Sequence, residues 1–204
     1  MPRLFLRTSF LAGCMLAGAP EALAQCTGFG TAPAADTPAA EVVALVGRGE
    51  TRASGAPAWQ PAALAQKLAG GADMRTLALS SAALLLADRT QIRMSANAEL
   101  RLCDAQAERS LLELIAGRLW ARTKRNPANL QLQTPAALAV VRGTDWDVQV
   151  EEGGRTTLTV LSGQVEFSNA YGRVDLGPAE QGTAVPGQAP TKRLLVNPRE
   201  RVQW

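Results

Sequence analysis

The sequence of 204 residues contains no histidine, and it has only 3 cysteines and 1 tyrosine. Histidine is the commonest general base, the commonest metal ligand and the usual partner of a serine or cysteine nucleophile. Its absence excludes a Ser-His-Asp triad. There is also no Cys-x-x-Cys pair, no glycine-rich phosphate loop ahead of a helix and no calcium-binding loop spacing. We therefore predict that the protein is not an enzyme and that it holds no cofactor and no metal.

Two pairs of carboxylates are the remaining candidates for acid–base chemistry, Asp145 with Asp147 and Glu151 with Glu152. Catalysis of this kind needs carboxyl groups that are positioned beside a substrate. The alternation of residue types instead places the first pair on the solvated face of a strand and the second pair in the turn that follows it. We interpret both pairs as structural.

Long apolar runs are missing after the N-terminal segment. The longest uncharged stretch that is also apolar in character, Thr76 to Ala87, falls well short of the ~20 residues that a membrane-spanning helix needs. The formal charge is only +3, which is too small to indicate a nucleic-acid or anionic-lipid partner. We expect no nucleic-acid partner and no transmembrane segment after the N-terminal segment.

The first 24 residues have the pattern of a secretory signal peptide. Two arginines precede an apolar stretch that ends in small residues, which predicts cleavage after Ala24. A rival processing site is the lipobox-like run Leu11–Cys14, in which Cys14 would be lipidated. The sequence thus predicts a periplasmic or secreted protein, with a lipoprotein anchored at Cys14 as the alternative.

Composition divides the remainder into three parts. Residues 25–40 are small and proline-bearing, which is typical of a disordered leader. Residues 41–196 repeat short runs of Val, Leu, Ile and Thr that are broken by Gly, Asn, Asp or Pro, which predicts a β domain. Residues 197–204 form a C-terminal tail or a truncated junction. The only helix candidate is the short Ala- and Leu-containing segment Pro61–Lys67.

The clearest strand is Thr144–Val150, in which threonine, tryptophan and valine alternate with aspartate and glutamine. Its larger residues should lie on a buried face. Glu151–Gly154 supplies a turn and Thr156–Leu161 a returning strand, so the pattern predicts a hairpin. Gly163 predicts a further break before the strand Gln164–Phe167.

An internal repeat favours a particular architecture. The run Ser81–Leu84 aligns with Pro135–Leu138 at an offset of 54 residues, and Leu112–Leu119 aligns with Leu158–Val165 at an offset of 46. Repeated strand-glycine-strand units that cannot bury their own apolar faces must stack on one another. We predict an all-β fold, a short β-solenoid or rolled β-sheet, with a β-sandwich as the alternative.

Two further groups of residues are candidates for specific roles. Cys26 and Cys103 remain as an even pair after the signal peptide, and either a disulfide between them or two buried thiols fits. Four basic residues cluster in sequence, and they form either a patch for an acidic partner or glycan or a solvated strand edge; they are Arg118, Arg122, Lys124 and Arg125.

Three segments in succession resemble the FecR family of periplasmic domains. They are TPAALAVVRGTDWDVQV from Thr134, TLTVLSGQV from Thr157 and VDLGPAEQG from Val174. The resemblance extends over roughly residues 41–195. It implies structural roles for four motif residues, a backbone bend at Gly143, a strand start at Thr144 and a tight turn at Gly163, with Arg142 completing the motif.

The resemblance also implies a function. FecR-like regulators that relay iron-siderophore signals have a cytoplasmic anti-sigma region, a membrane helix and this domain in the periplasm. This chain has a signal peptide in place of the first two parts, so it is more similar to secreted members, and its ending Leu195–Trp204 resembles a junction to helical repeats. We expect a periplasmic scaffold module that binds an envelope protein or glycan. The alternative is a signal-relay component that regulates transcription through a membrane partner.

Overall fold

The computed structural model of the protein describes residues 38–105, 109–123, 129–195 and 197. Apart from a single turn of 3₁₀ helix at Glu152–Gly154, the regular structure of these residues consists of strands. The strands are β1 Pro38–Val46, β2 Gly49–Arg52, β3 Gln60–Pro61, β4 Lys67–Ala69, β5 Asp73–Thr76, β6 Ser81–Leu86, β7 Gln91–Met94, β8 Glu99–Ala105, β9 Arg109–Arg122, β10 Asn129–Gln133, β11 Leu138–Val150, β12 Thr156–Asn169, β13 Gly172–Leu176, β14 Glu180–Ala184 and β15 Thr191–Leu194.

These strands pair into one large mixed sheet. Its main path runs β15-β14-β12-β11-β10-β9-β7-β6-β1-β4, and a branch runs from β9 through β8 and β5 to β2 and β3. The pair β9–β10 is parallel and the other described pairs are antiparallel. The prediction of an all-β fold is confirmed. The choice between a β-solenoid and a β-sandwich stays a prediction.

Three long strands, β9, β11 and β12, hold the branches of the sheet together. The first half of β9 pairs with β8 and β10, whereas its second half pairs with β7 and β11. Likewise, the first half of β12 pairs with β14 and its second half with β13. The two halves of β9 therefore pair with different strands, and so do the two halves of β12, so each of these long strands joins two parts of the sheet.

Each long strand changes direction at a glycine with positive φ in its interior. Gly117 in β9 has φ 85°, and Gly163 in β12 has φ 81°. These two glycines are the ones that the internal repeat aligns. The prediction that Gly163 makes a tight turn was wrong, because β12 runs through it. A β-carbon at Gly163 would lie 2.5 Å from Cγ2 of Thr144 and 2.6 Å from the carbonyl oxygen of Gly143, so the strands approach closely where they bend.

The core lies on the inner face of the sheet, where the predicted alternation holds. Trp146 and Val148 of β11 are completely buried, and they lie opposite Val160 and Leu158 of β12. The predicted hairpin is confirmed, since β11 and β12 pair from Val150 back along both strands. Burying such large apolar side chains provides the main driving force for the fold.

Two local predictions need correction. The segment Pro61–Lys67 is not a helix: it begins at the end of β3 and ends at the start of β4, and Ala65 between them has φ 61°. Strand pairing of Lys67 with Glu41 outweighs the weak helix propensity. The predicted leader also extended too far, because β1 begins at Pro38. Residues 1–37 lie outside the described part of the chain.

Candidate functional site

The second half of β9 brings two of the predicted basic residues to one face of the sheet. Leu119 and Ala121 point inward and are fully buried, so the alternating residues Arg118, Trp120 and Arg122 lie on the outer face. The alternative prediction of a solvated strand edge was wrong, because this part of β9 has β7 on one side and β11 on the other. Lys124 and Arg125 lie outside the described residues.

Both of these arginines are paired with carboxylates of β11. Arg118 Nε lies 2.9 Å from Asp147 Oδ2, and Arg122 Nη2 lies 2.7 Å from Asp145 Oδ2. The prediction that the two aspartates lie on a solvated face holds only in part. Asp147 does point outward, but its side chain is only 6% exposed because Arg118 and the neighbouring strands cover it. Each of the two aspartates is therefore paired with an arginine of β9.

A third arginine, which the sequence did not single out, joins this cluster. Arg93 of β7 lies directly opposite Trp120 of β9. The guanidinium carbon of Arg93 is 5.4 Å from the centre of the Trp120 ring, and that of Arg122 is 5.2 Å away. Both distances are within the range of cation–π attraction. We call Arg93, Trp120 and Arg122 the arginine–tryptophan surface.

The outer face continues beyond this surface as a polar row across three further strands. Gln181 of β14 donates from Nε2 to Oγ1 of Thr159 in β12 at 3.0 Å, and Arg193 of β15 donates from Nε to Oε1 of Gln181 at 2.9 Å. Gln181 is only 1% exposed, so its polar groups are satisfied by protein rather than by water. This row fixes the edge strand β15 to the sheet.

A second polar network lies on the branch of the sheet. Asp73 accepts from Nη2 of Arg52 at 2.6 Å and from Nε of Arg101 at 2.7 Å, and Arg101 also reaches Glu113 Oε2 at 3.1 Å. Burial raises the pKa of the Glu113 carboxyl above its ordinary value of 4.5, against the opposing effect of Arg101. Trp59 packs against this network.

Two arginines, Arg52 of this network and Arg75, lie over the ring of Trp59, and we call these three residues the arginine clamp. The guanidinium carbons of Arg52 and Arg75 lie 4.6 Å and 4.2 Å from the Trp59 ring, and Arg75 Nη2 lies 2.6 Å from Glu50 Oε2. Arg52 and Arg75 thus each have both a carboxylate and an aromatic partner. We interpret the arginine clamp as a brace for the segment between β2 and β3, and not as a binding site.

Three of the family-motif residues lie inside β11 and the fourth, Gly163, lies inside β12. Thr144 therefore does not start a strand, because β11 begins at Leu138 and runs through it. Thr144 is 1% exposed, and its backbone oxygen accepts from the N–H of Thr123 at 3.0 Å. Gly143 has φ 60°, and Gly163 lies against both it and Thr144. Arg142, the remaining residue, is exposed. Three of the four residues therefore shape the backbone at the bend.

Cys103 of β8 is 8% exposed and is part of a disulfide bond. Cys26, its predicted partner, lies outside the described residues, so the Cys26–Cys103 pairing stays a prediction. Within the described ranges, no three Cys, Asp or Glu side chains are grouped as metal ligands would be. The same residues include no helix of the length and apolarity that crossing a membrane requires.

A known protein family matches the part of the chain that contains the bent strands and the arginine–tryptophan surface. Residues 72–166 match the model of the family described as FecR protein. This segment belongs to the FecR family. It runs from the start of β5 into β12, and it includes Arg142, Gly143, Thr144 and Gly163. The predicted resemblance is confirmed, although the FecR match is shorter than the 41–195 span inferred from the sequence.

Two solved structures are similar in fold to this chain. Two crystal structures, each described as "a putative anti-sigma factor from Parabacteroides distasonis ATCC 8503", superpose on it with a TM-score of 0.54 and 18% identity. In both cases the similarity covers 60% of this chain and 59% of the other. At this identity the comparison shows the fold alone. No curated protein matches the sequence.

Proposed function

We propose that this FecR-like protein is an envelope signal-relay component, which regulates transcription through a membrane partner. The observation that carries the proposal is the FecR match over residues 72–166, the stretch that forms the long bent strands. The fold similarity to proteins described as anti-sigma factors supports the same class of role. Relay by such a domain requires recognition of another protein, and not catalysis.

The proposal places the domain in the periplasm or outside the cell. Its support is the secretory pattern of the first 24 residues, in which two arginines precede an apolar stretch and a small-residue cleavage site. N-terminal sequencing of the mature protein tests this part. A chain that begins at Gln25 supports cleavage after Ala24, whereas a blocked chain that begins at Cys14 supports the lipoprotein alternative.

We also propose that the protein is not an enzyme. Support comes from the lack of histidine in the whole sequence and from the pairing of Asp145 and Asp147 with arginines. The scaffold role, which the sequence alone favoured, gains no support from the FecR match, and a glycan ligand gains none from the described residues. We therefore take signal relay through a protein partner as the function.

The relay function is tested by deleting the gene in its own organism and measuring all transcripts. We expect a limited group of transcripts to change and to return to normal when the full-length gene is restored. A control gene that encodes the same protein without residues 1–24 should not restore them, because that product stays inside the cell.

Two outcomes would count against relay. If no transcript group changes on deletion, or if only a general envelope-stress response appears, the protein does not transmit a specific signal. If the form without the signal peptide restores the transcripts as well as the full-length form, the relay does not depend on export.

A further inference from the structure

The arginine–tryptophan surface presents two exposed guanidinium groups, and only that of Arg122 is paired with a carboxylate of the described residues. Arg93 is exposed, and among the described residues it has no carboxylate within ion-pair distance. The side chain of Arg122 is 51% exposed even though it is paired with Asp145. The two aspartates of β11 are far less accessible, with side-chain exposures of 6% for Asp147 and 17% for Asp145. Solvent therefore meets cations first.

The two guanidinium groups are also held in place before any partner arrives. Both are attracted to the Trp120 ring, and Arg122 is also bound to Asp145. The ring belongs to a central strand that has neighbours on both sides. Ordering a long arginine side chain is a large part of the entropy lost on binding. Arginines that are already ordered lose less, and their planar groups suit bidentate binding of carboxylates.

An apolar strip borders the surface on the side of β6 and β1. Ala83 of β6 lies opposite Arg93, and Ala44 of β1 lies opposite Ala83. Next to them on β1, Val43 is 44% exposed and Val46 is 63% exposed. A ligand that crosses these strands would therefore meet valine and alanine side chains and then the arginine–tryptophan surface.

We propose that this surface binds an acidic, extended segment of a partner protein. Carboxylates of the segment pair with Arg93 and Arg122, and an apolar residue beside them packs on Trp120 and the neighbouring strip. Nucleic acids are bound by longer tracks of cations and aromatic platforms, whereas here two exposed cations adjoin alkyl side chains. The inference rests on the proposed function only in that the ligand is taken to be a protein.

The probe for this surface is a short peptide of alternating aspartate and leucine, with an asparagine–leucine peptide as its neutral counterpart. Binding to the full-length protein is measured by calorimetry. We expect the acidic peptide to bind and the neutral one not to. The double variant R93Q/R122Q should weaken binding about tenfold or more, because two charge-assisted contacts are lost.

The matched control is R155Q/R173Q, which removes the same charge from elsewhere on the protein. Arg155 lies in the turn between β11 and β12, and Arg173 is an exposed residue of β13. This variant should bind the acidic peptide as the wild type does. Equal weakening in the two double variants would overturn the proposal, because it would show attraction by net charge alone.

A second measurement locates the peptide without depending on the stability of the arginine variants. The indole N–H signal of Trp120, assigned with W120F, should shift in the nuclear magnetic resonance spectrum when the acidic peptide binds the wild-type protein. The signal of Trp59, which lies between Arg52 and Arg75, should not shift. A shift of the Trp59 signal without a shift of the Trp120 signal would show that the peptide binds near Trp59 and would overturn the proposal.

Three other results would also overturn the inference. One is a wild-type protein without affinity for the acidic peptide, and another is a neutral peptide that binds equally well. A single-stranded DNA oligonucleotide that competes with the same dependence on Arg93 and Arg122 would show a general anion site. If the peptide does not bind but the transcripts still depend on the gene, the relay function stands and uses another surface. If the peptide binds but no transcripts depend on the gene, only the proposed relay function is refuted.

Discussion

Gly117 shows, at the scale of one residue, how closely two strands approach where β9 bends. With φ 85° it has a conformation that L-residues adopt at a cost of about 1–2 kcal/mol. A β-carbon there would also lie 2.6 Å from the carbonyl oxygen of Asn97 and closer still to Ala98. We predict that Gly117→Ala lowers the free energy of unfolding by about 2–4 kcal/mol, as measured by urea denaturation.

Gly153 is the matched control for this prediction. It has nearly the same φ, 82°, but a β-carbon added there would meet nothing within 4 Å. Gly153→Ala should therefore show the conformational penalty alone, about 1 kcal/mol. Equal losses at the two positions would mean that the close approach to Ala98 does not matter.

Glu113 gives a prediction about pH. Its pKa is raised in the folded protein mainly by burial, so folding favours the protonated carboxyl. The contribution of Glu113 to stability is therefore greatest at low pH, and it falls as the pH rises from 4.5 through the raised pKa. We predict that Glu113→Gln becomes more stable relative to wild type over this pH interval.

The measurement is the difference in unfolding free energy between wild type and Glu113→Gln at a series of pH values. Because the two proteins share every other titrating group, their difference isolates this carboxyl. A difference that does not change with pH would show that the attraction of Arg101 balances the effect of burial on the pKa, and a change in the opposite direction would show that it outweighs that effect.

Single residues also mark the limit of what sequence can predict about the site. The alternation in Gln91–Met94 is enough to place Arg93 on an outer face, because Ile92 and Met94 are apolar. The alternation does not show which strand pairs with this segment. Arg93 meets Trp120 only because β7 pairs with β9, and that register depends on the packing of the whole sheet.

Between strands, the polar network around Asp73 forms a ladder of ion pairs. It connects β2, β5, β8 and β9, with one buried carboxylate serving both Arg52 and Arg101. Removing the negative charge of Asp73 leaves the partly buried guanidinium groups of Arg52 and Arg101 without this carboxylate partner. We predict that Asp73→Asn lowers the free energy of unfolding by about 3 kcal/mol in thermal or urea denaturation.

Asp175 provides the control for the ladder. It lies on β13, where its side chain is exposed, so Asp175→Asn removes the same charge at a solvated position. Its effect should stay within about 0.5 kcal/mol. If the two substitutions change stability equally, the loss at Asp73 reflects net charge and not the ladder.

At the level of elements, alternation predicted strands well and their limits less well. The hairpin of β11 and β12 could be predicted because a strict period of two was followed by Glu151–Gly154. The sequence around Gly163 predicts a turn, because a glycine between two strand-like runs has the same pattern whether the strand ends or bends. Packing against Thr144 makes it a bend.

For the whole molecule, the sharing of β9, β11 and β12 predicts a single cooperative unit. Loss of either end of β9 would expose apolar surface of β8 or of β7 and β11. We predict that amides in β2–β5 and in β12–β14 exchange hydrogen with the same free energy under mild denaturant, as measured by mass spectrometry. A lasting difference above about 1 kcal/mol would reveal two independent units.

The position of the outermost strands has a consequence for how the protein bears mechanical load. The first described strand, β1, lies near one margin of the sheet, and the last, β15, lies at the other. A pulling force on the two ends therefore acts on opposite margins. The strand β15 is exposed at all four residues, and among the described strands it pairs only with β14, so it should separate from the sheet first. The long central strands would bear tension last, so the domain would yield from its rim inward.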